Sequence, residues 1–173
     1  MLALQKCAFL RNQKGVAFLE FTILFPLLLV LAVGTFEFGH ALQNYHLINK
    51  SLRDAARFLA RQPISCASQG VNNGTIDPSI QTEAKNIAMT GEITGGTFLL
   101  NYWTDPNTVT ISVDCDSSAG YYVANSGGGT ATPFIPIIRV QASVPYADIG
   151  FLSLLGIGNF HFNVRHNEIG TRE

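Results

Sequence analysis

Hydrophobic and polar positions divide the chain into three textures. From Phe21 to Phe36 it reads F-T-I-L-F-P-L-L-L-V-L-A-V-G-T-F, without a charge and bounded by Glu20 and Glu37. Counted from Val16 the run has 21 residues, apolar apart from Glu20, two Thr and Gly34. At the helical rise this is about 30 Å, the thickness of a bilayer core, and it predicts a membrane-spanning helix. A signal peptide has a shorter apolar region followed by a small-residue cleavage site. Here the run continues as T-F-E-F-G-H-A-L-Q-N-Y, with no such site.

The second texture is helical and amphipathic. Between Glu37 and Arg61 there is no Pro, and Gly39 is the single Gly. Leu42, Tyr45, Leu47, Ile48, Leu52, Ala55, Ala56, Leu59 and Ala60 recur mostly at three- and four-residue steps, which predicts one apolar face. Lys50, Arg53, Arg57 and Arg61 step likewise and form a basic stripe on another face. That stripe is open to two readings, a solvated or headgroup-contacting face and a partner-binding one. Gln62-Pro63 ends the helix, because the residue before Pro is biased away from helical geometry. The rod from Val16 to Arg61 is expected to be about 70 Å long, with a candidate kink at Pro26.

Beyond Pro63 the pattern shortens. Ile64 to Thr75 is rich in Ser, Gly and Asn and reads as a loop. Asp77-Pro78-Ser79 reads as a helix start, Asp as N-cap and Pro in the first turn, and the helix is expected to run to Met89 and stop at Gly91. Thr97–Trp103 and Asn107–Cys115 read as a hairpin turning at Thr104-Asp105-Pro106, the second run alternating strictly. Ala119–Pro133, with Gly127-Gly128-Gly129, reads as a mobile loop. Ile137–Tyr146 and Phe160–Ile169 complete about four strands. Ile149–Ile157 is apolar but too short to span a membrane, and is expected to pack on the sheet or touch the bilayer surface. The predicted class is α+β: a long N-terminal transmembrane helix leading into a small domain with a short helix and a roughly four-stranded antiparallel sheet.

Charge gives this layout a direction. Lys6, Arg11 and Lys14 precede Val16, with no acid among the first 15 residues. The positive-inside tendency therefore places the N-terminus in the cytoplasm and the longer remainder outside it. The expected organisation is a cytoplasmic leader over 1–15, a transmembrane and extended helix over 16–61, and an extracytoplasmic domain over 62–173. Beyond Arg61 four bases face nine acids, so the exported part is acidic and the net charge of −1 is an average over unlike parts. Nothing there argues for nucleic acid. Charged residues are 13% of the 173, about half the usual quarter, which excludes a coiled coil or a disordered tail protein.

Cys7 falls in the leader, while Cys66 and Cys115 fall in the exported part, where an oxidising compartment would let them pair. Two unpaired buried thiols are the alternative. Without C-x-x-C or paired Cys–His spacing, no metal site is expected. His40, His46, His161 and His166 are scattered, and G-x-S-x-G, H-E-x-x-H and P-loop motifs are missing from the sequence. The three Gly at 127–129 lack the Lys of a phosphate loop. Asp105, Asp114 and Asp116 have no EF-hand spacing. No enzyme and no cofactor are expected.

The most informative motif lies where leader meets helix. Gly15-Val16-Ala17-Phe18-Leu19-Glu20-Phe21 places a carboxylate inside the apolar run, where a lone ionised acid is costly and usually has a partner. A cut after Gly15 would supply one, since the new α-amino group of Val16 in one subunit could meet Glu20 of its neighbour. The bland alternative is a Glu20 sitting at the headgroup boundary.

The stretch Gly15–Phe21 resembles the type IV prepilin processing site. The wider segment from Arg11 to Arg61 is similar to the TadE-like pseudopilins of tight-adherence pilus systems, through G-x-x-x-x-E-F, Pro26 in the apolar run, E-F-G at 37–39 and A-A-R at 55–57. The remainder matches only in general, pilin-like layout. The larger related TadG-type proteins carry a D-x-S-x-S metal motif, from which Asp116-Ser117-Ser118-Ala119-Gly120 departs.

The resemblance implies cleavage between Gly15 and Val16 by a prepilin peptidase, with Glu20 and Phe21 in the assembly motif. It implies a minor-pilin role in an adhesive fibre, in a bacterial inner membrane. The implied partners are other pilin subunits, an inner-membrane assembly platform and its secretion ATPase. A permanently anchored envelope protein with a binding domain, or a type II secretion pseudopilin, are the competing expectations.

Overall fold

The computed structural model describes residues 15–66, 68, 70–116, 134–154, 156 and 160–170. The leader with Lys6, Cys7, Arg11 and Lys14, and the Gly-rich loop expected at 119–133, lie outside the described residues.

Helix α1, Val16–Leu59, is continuous over 44 residues and contains Pro26. Proline has no amide proton, so the Thr22 carbonyl loses its usual backbone donor. The Thr22 hydroxyl in turn donates back to Phe18 O at 2.8 Å. The inner part of α1 is bare: none of its most apolar 18-residue window is covered by the rest of the chain. A core helix of a soluble domain would be covered. Length, composition and exposure together describe a helix able to cross a membrane.

Further along, α1 acquires a covered face. Glu37, Asn44, Ile48, Ser51, Leu52, Ala55, Ala56 and Leu59 are buried, and helical periodicity puts them on one side. The amphipathic reading holds from Ile48 to Leu59 but not before. Leu42 and Tyr45 are exposed, because the covered face between Glu37 and Asn44 is polar and those two side chains lie off it. The basic stripe of Lys50, Arg53, Arg57 and Arg61 is exposed, opposite the buried face.

The head packs on that face in two parts. Helix α2, Pro78–Thr90, starts at Asp77, whose carboxylate accepts from Ser79 N at 2.8 Å, and ends at Gly91 in the left-handed region (φ 80°). The Ser79 hydroxyl and amide hold the Asp77 carboxyl below the usual carboxylate range. Ala55 and Ala56 of α1 and Ala84 and Ala88 of α2 have no exposed surface; such small side chains let two helices approach closely.

Strands β3, Val109–Asp116, β4, Ile135–Pro145, and β5, His161–Ile169, form an antiparallel sheet in the order β3-β4-β5. Val109 stands opposite Ala142, and Val144 opposite Phe162. Pro136, Ile138, Val140, Ala142 and Val144 alternate inward along β4 and are buried, the Ile and Val side chains each contributing about 1.5–3 kcal/mol on full burial. The polar alternates, such as Thr110, Gln141 and Ser143, face outward.

Two expectations for the head need correction. Thr97–Trp103 is not a strand, and the hairpin at Thr104-Asp105-Pro106 does not form. Leu99 N donates to Met89 O, closing the end of α2, and Trp103 N bonds back to Leu100 O, which folds the segment into turns. Leu100 and Trp103 are its buried anchors, and Pro106–Thr108 is a 3-10 turn capped by Asp105. The outer edge of β3 is met from elsewhere, at its Cys115 end. Within the expected loop 64–75, β1, Ser65–Cys66, pairs with β2, Gly74–Thr75, and Gly70 exchanges both backbone hydrogen bonds with Cys115 at 2.9 Å. The sheet therefore has three strands, with a two-stranded ribbon beside it.

Cys66 and Cys115 are disulfide-bonded, with Cα atoms 5.9 Å apart. Gly74 lies against this link, and a Cβ there would stand 2.7 Å from Val113 Cβ, a contact only Gly avoids.

Candidate functional site

The polar part of the α1 face forms a joint with the end of β4. Glu37 is 4% exposed, a rare state for a carboxylate. The Tyr146 hydroxyl donates to its Oε1 at 2.6 Å, and Ile149 N donates to Oε2 at 3.1 Å. His40 Nδ1 lies 3.1 Å from Tyr146 Oη, and Asn44 Nδ2 lies 3.3 Å from His40 Nε2. A neutral imidazole protonated on Nδ1 satisfies every contact, with Asn44 donating to His40, His40 to Tyr146, and Tyr146 to Glu37. Burial and the Glu37 carboxylate together hold the Tyr146 hydroxyl far above the usual tyrosine range.

Aromatic rings and a short helix surround the joint. Phe160 and Phe162 stand edge-on to Tyr146 at 6.1 and 5.3 Å between centroids, and Tyr45 lies 5.9 Å from Phe162. Helix α3, Phe151–Leu154, follows directly after Ile149. Asp148 caps it by accepting from Ser153 N at 2.8 Å, which holds the Asp148 carboxyl below its usual range. This segment, expected to pack on the sheet or touch the bilayer surface, packs on α1 through Phe151 and on the core through Leu152. A Cβ on Gly34 would meet the Phe151 ring at 3.7 Å, while Ile149 and Leu154 stay exposed.

The residues singled out from sequence are spread along α1 rather than gathered. Val16, Glu20 and Phe21 lie at its bare end, fully in the open. Glu20 has no hydrogen-bond or ion-pair partner among the described residues. Arg57 approaches Glu168 of β5 at 3.8 Å, and helical rise puts Lys50 about 20 Å beyond Phe36. Asp114 is paired with Arg139 at 2.6 Å, and Asp105 caps its turn. Among the described residues no three His, Cys, Asp or Glu side chains gather as metal ligands would. The joint itself went unassigned in the sequence, although Glu37 was visible in E-F-G and Glu37, Asn44 and Ile48 continue one face at steps of seven and four.

Residues 15–57 match the family described as TadE-like protein. This segment is similar to that family. The match takes in Glu20, Pro26 and the helix half of the joint, and stops short of Arg61 and the whole head. No curated protein and no solved structure matches the chain. The TadE-like segment thus supplies Glu37, His40 and Asn44, and the unmatched head supplies Tyr146 and Ile149.

Proposed function

We propose that this chain is a minor pilin, or pseudopilin, that helps build an adhesive tight-adherence pilus. It is made with its N-terminus in the cytoplasm, held in the inner membrane by α1, and cut by a prepilin peptidase between Gly15 and Val16. Other pilin subunits, the membrane assembly platform and its secretion ATPase are its partners, and the exposed stripe of Lys50, Arg53, Arg57 and Arg61 lies on the extracytoplasmic side, where it faces neighbouring subunits.

The observation that carries this reading is a helix similar to the TadE-like family whose inner part is uncovered and bears one carboxylate without a partner among the described residues. A permanent anchor has no need of Glu20 within its apolar run. In an assembly of helices the α-amino group of Val16 on one subunit offsets Glu20 of the next, removing the cost of a lone charge in an apolar setting.

N-terminal sequencing of the protein from pilus-forming cells tests it directly. The expected first residue is Val16, and an intact Met1 overturns the proposal. Glu20→Ala is expected to insert into the membrane yet fail to enter sheared pilus fractions. A protein never found in those fractions is a permanent envelope anchor instead.

A further inference from the structure

We propose that the segment Ile149–Leu154 is a wedge seated in the outer leaflet of the bilayer, so that the head touches lipid directly instead of standing clear on its helix. This rests on the reading of α1 as a membrane span.

Depth is the first argument. The wedge packs on α1 at Gly34, where the Phe151 ring lies within van der Waals reach of a Cβ. Gly34 belongs to the uncharged run that ends at Phe36. A hydrocarbon core of about 30 Å takes about 20 helical residues. Starting at Val16 it ends near Phe36, and starting at Glu20 it ends beyond Glu37. Under either placement Gly34 is inside the apolar slab, and whatever packs on Gly34 is carried to the same level.

The chemistry of the surface at that level agrees. Leu154 is 82% exposed and Ile149 64%, and Phe36 and Phe38 are exposed on the helix at the same height. Exposed apolar side chains on the wedge and on the helix at one depth are what an interfacial element presents to acyl chains.

Several polar groups at the wedge find their partners within the chain, which lowers the cost of an apolar environment. The Glu37 carboxylate takes its donors from Tyr146 and Ile149. Leu154 N bonds to Gly150 O at 3.1 Å, and Asp148 takes the amide and hydroxyl of Ser153.

Tryptophan quenching tests the assignment. The full chain is reconstituted in phosphatidylcholine–phosphatidylglycerol vesicles carrying a nitroxide either near the glycerol or deep in the acyl chain. Leu154→Trp and Leu31→Trp are compared with the parent protein, whose single Trp103 is buried in the head. Expected is loss of the added Leu154→Trp emission to the shallow nitroxide more than to the deep one, and of the Leu31→Trp emission to the deep one. If Leu31→Trp is quenched by lipid but Leu154→Trp responds only to aqueous acrylamide, the wedge is overturned while the span stands. If Leu31→Trp escapes both nitroxides, the span reading fails and the wedge with it. Shielding of Leu154→Trp that disappears when protein is diluted in lipid assigns the patch to a second copy, and overturns the lipid assignment.

Discussion

The hydroxyl of Tyr146 donates a 2.6 Å hydrogen bond to the carboxylate of Glu37, 109 residues earlier in the chain. This one bond ties the head to the TadE-like helix where the apolar run ends. Removing it leaves a buried carboxylate with only the Ile149 amide as donor. Tyr146→Phe is expected to destabilise the head by about 1.5–3 kcal/mol, the range for a hydrogen bond to a charged group. Urea unfolding in detergent, followed by Trp103 emission, reads this out. In a double-mutant cycle Tyr146→Phe and Glu37→Gln should be strongly non-additive; additive costs would show that the two side chains do not act together.

The same contact sets an alkaline limit. In the folded head Tyr146 keeps its proton where the unfolded chain, with an ordinary tyrosine value near 10, loses it. Burial shifts Tyr102 the same way. Above about pH 10 the folded state therefore binds more protons than the unfolded one, and stability falls as pH rises; below that value the contribution is fully present. The urea midpoint should be flat from about pH 8 to 9.5 and drop beyond. Tyr146→Phe should start lower and fall less steeply. A parent midpoint unchanged up to pH 11, with Cys7 alkylated to prevent thiol exchange, would contradict this.

At the opposite end of the sheet, the Cys66–Cys115 link closes a 49-residue separation and pins the ribbon to β3. Chain-entropy arithmetic puts its contribution at about 4 kcal/mol. The paired substitution Cys66→Ser with Cys115→Ser should lose about that much, and dithiothreitol should lower the parent's melting temperature but not that of the double variant. Gly74→Ala should cost about 1–3 kcal/mol by overpacking against Val113, with the link intact by non-reducing mass analysis.

Features set by local chemistry were legible in the sequence. The uncharged run and its flanking acids foretold α1, Asp77-Pro78 and Gly91 delimited α2, period-two alternation marked β3, and strand-like runs marked β4 and β5. What failed depended on partners far along the chain. Thr97–Trp103 has a strand's composition, but Leu99 N bonds back to Met89 O and the buried Leu100 and Trp103 fold it into turns. Glu37 looked like the mere end of an apolar run because its donors, Tyr146 and the Ile149 amide, lie more than a hundred residues away. Apolar spacing puts Leu42 and Tyr45 on the covered face for a related reason. Apolar periodicity cannot reveal a buried face that is locally polar.

Gly34 offers a test of how the joint and α3 fit together. Its Cβ position is 3.7 Å from the Phe151 ring, an ordinary van der Waals distance. Gly34→Ala should therefore be accepted, and it gains about 1 kcal/mol of helix propensity besides. Gly34→Leu cannot be accommodated without moving Phe151, which would pull α3 off α1 and strain the Ile149 amide away from Glu37. Hydrogen–deuterium exchange reads this at the amides of Ile149, Ser153 and Leu154, all bonded in the parent. Exchange should be unchanged in Gly34→Ala and faster at all three in Gly34→Leu, while β4 amides near the Cys66–Cys115 end keep their protection. Equal protection in both variants would mean that α3 holds its place without the helix beneath it.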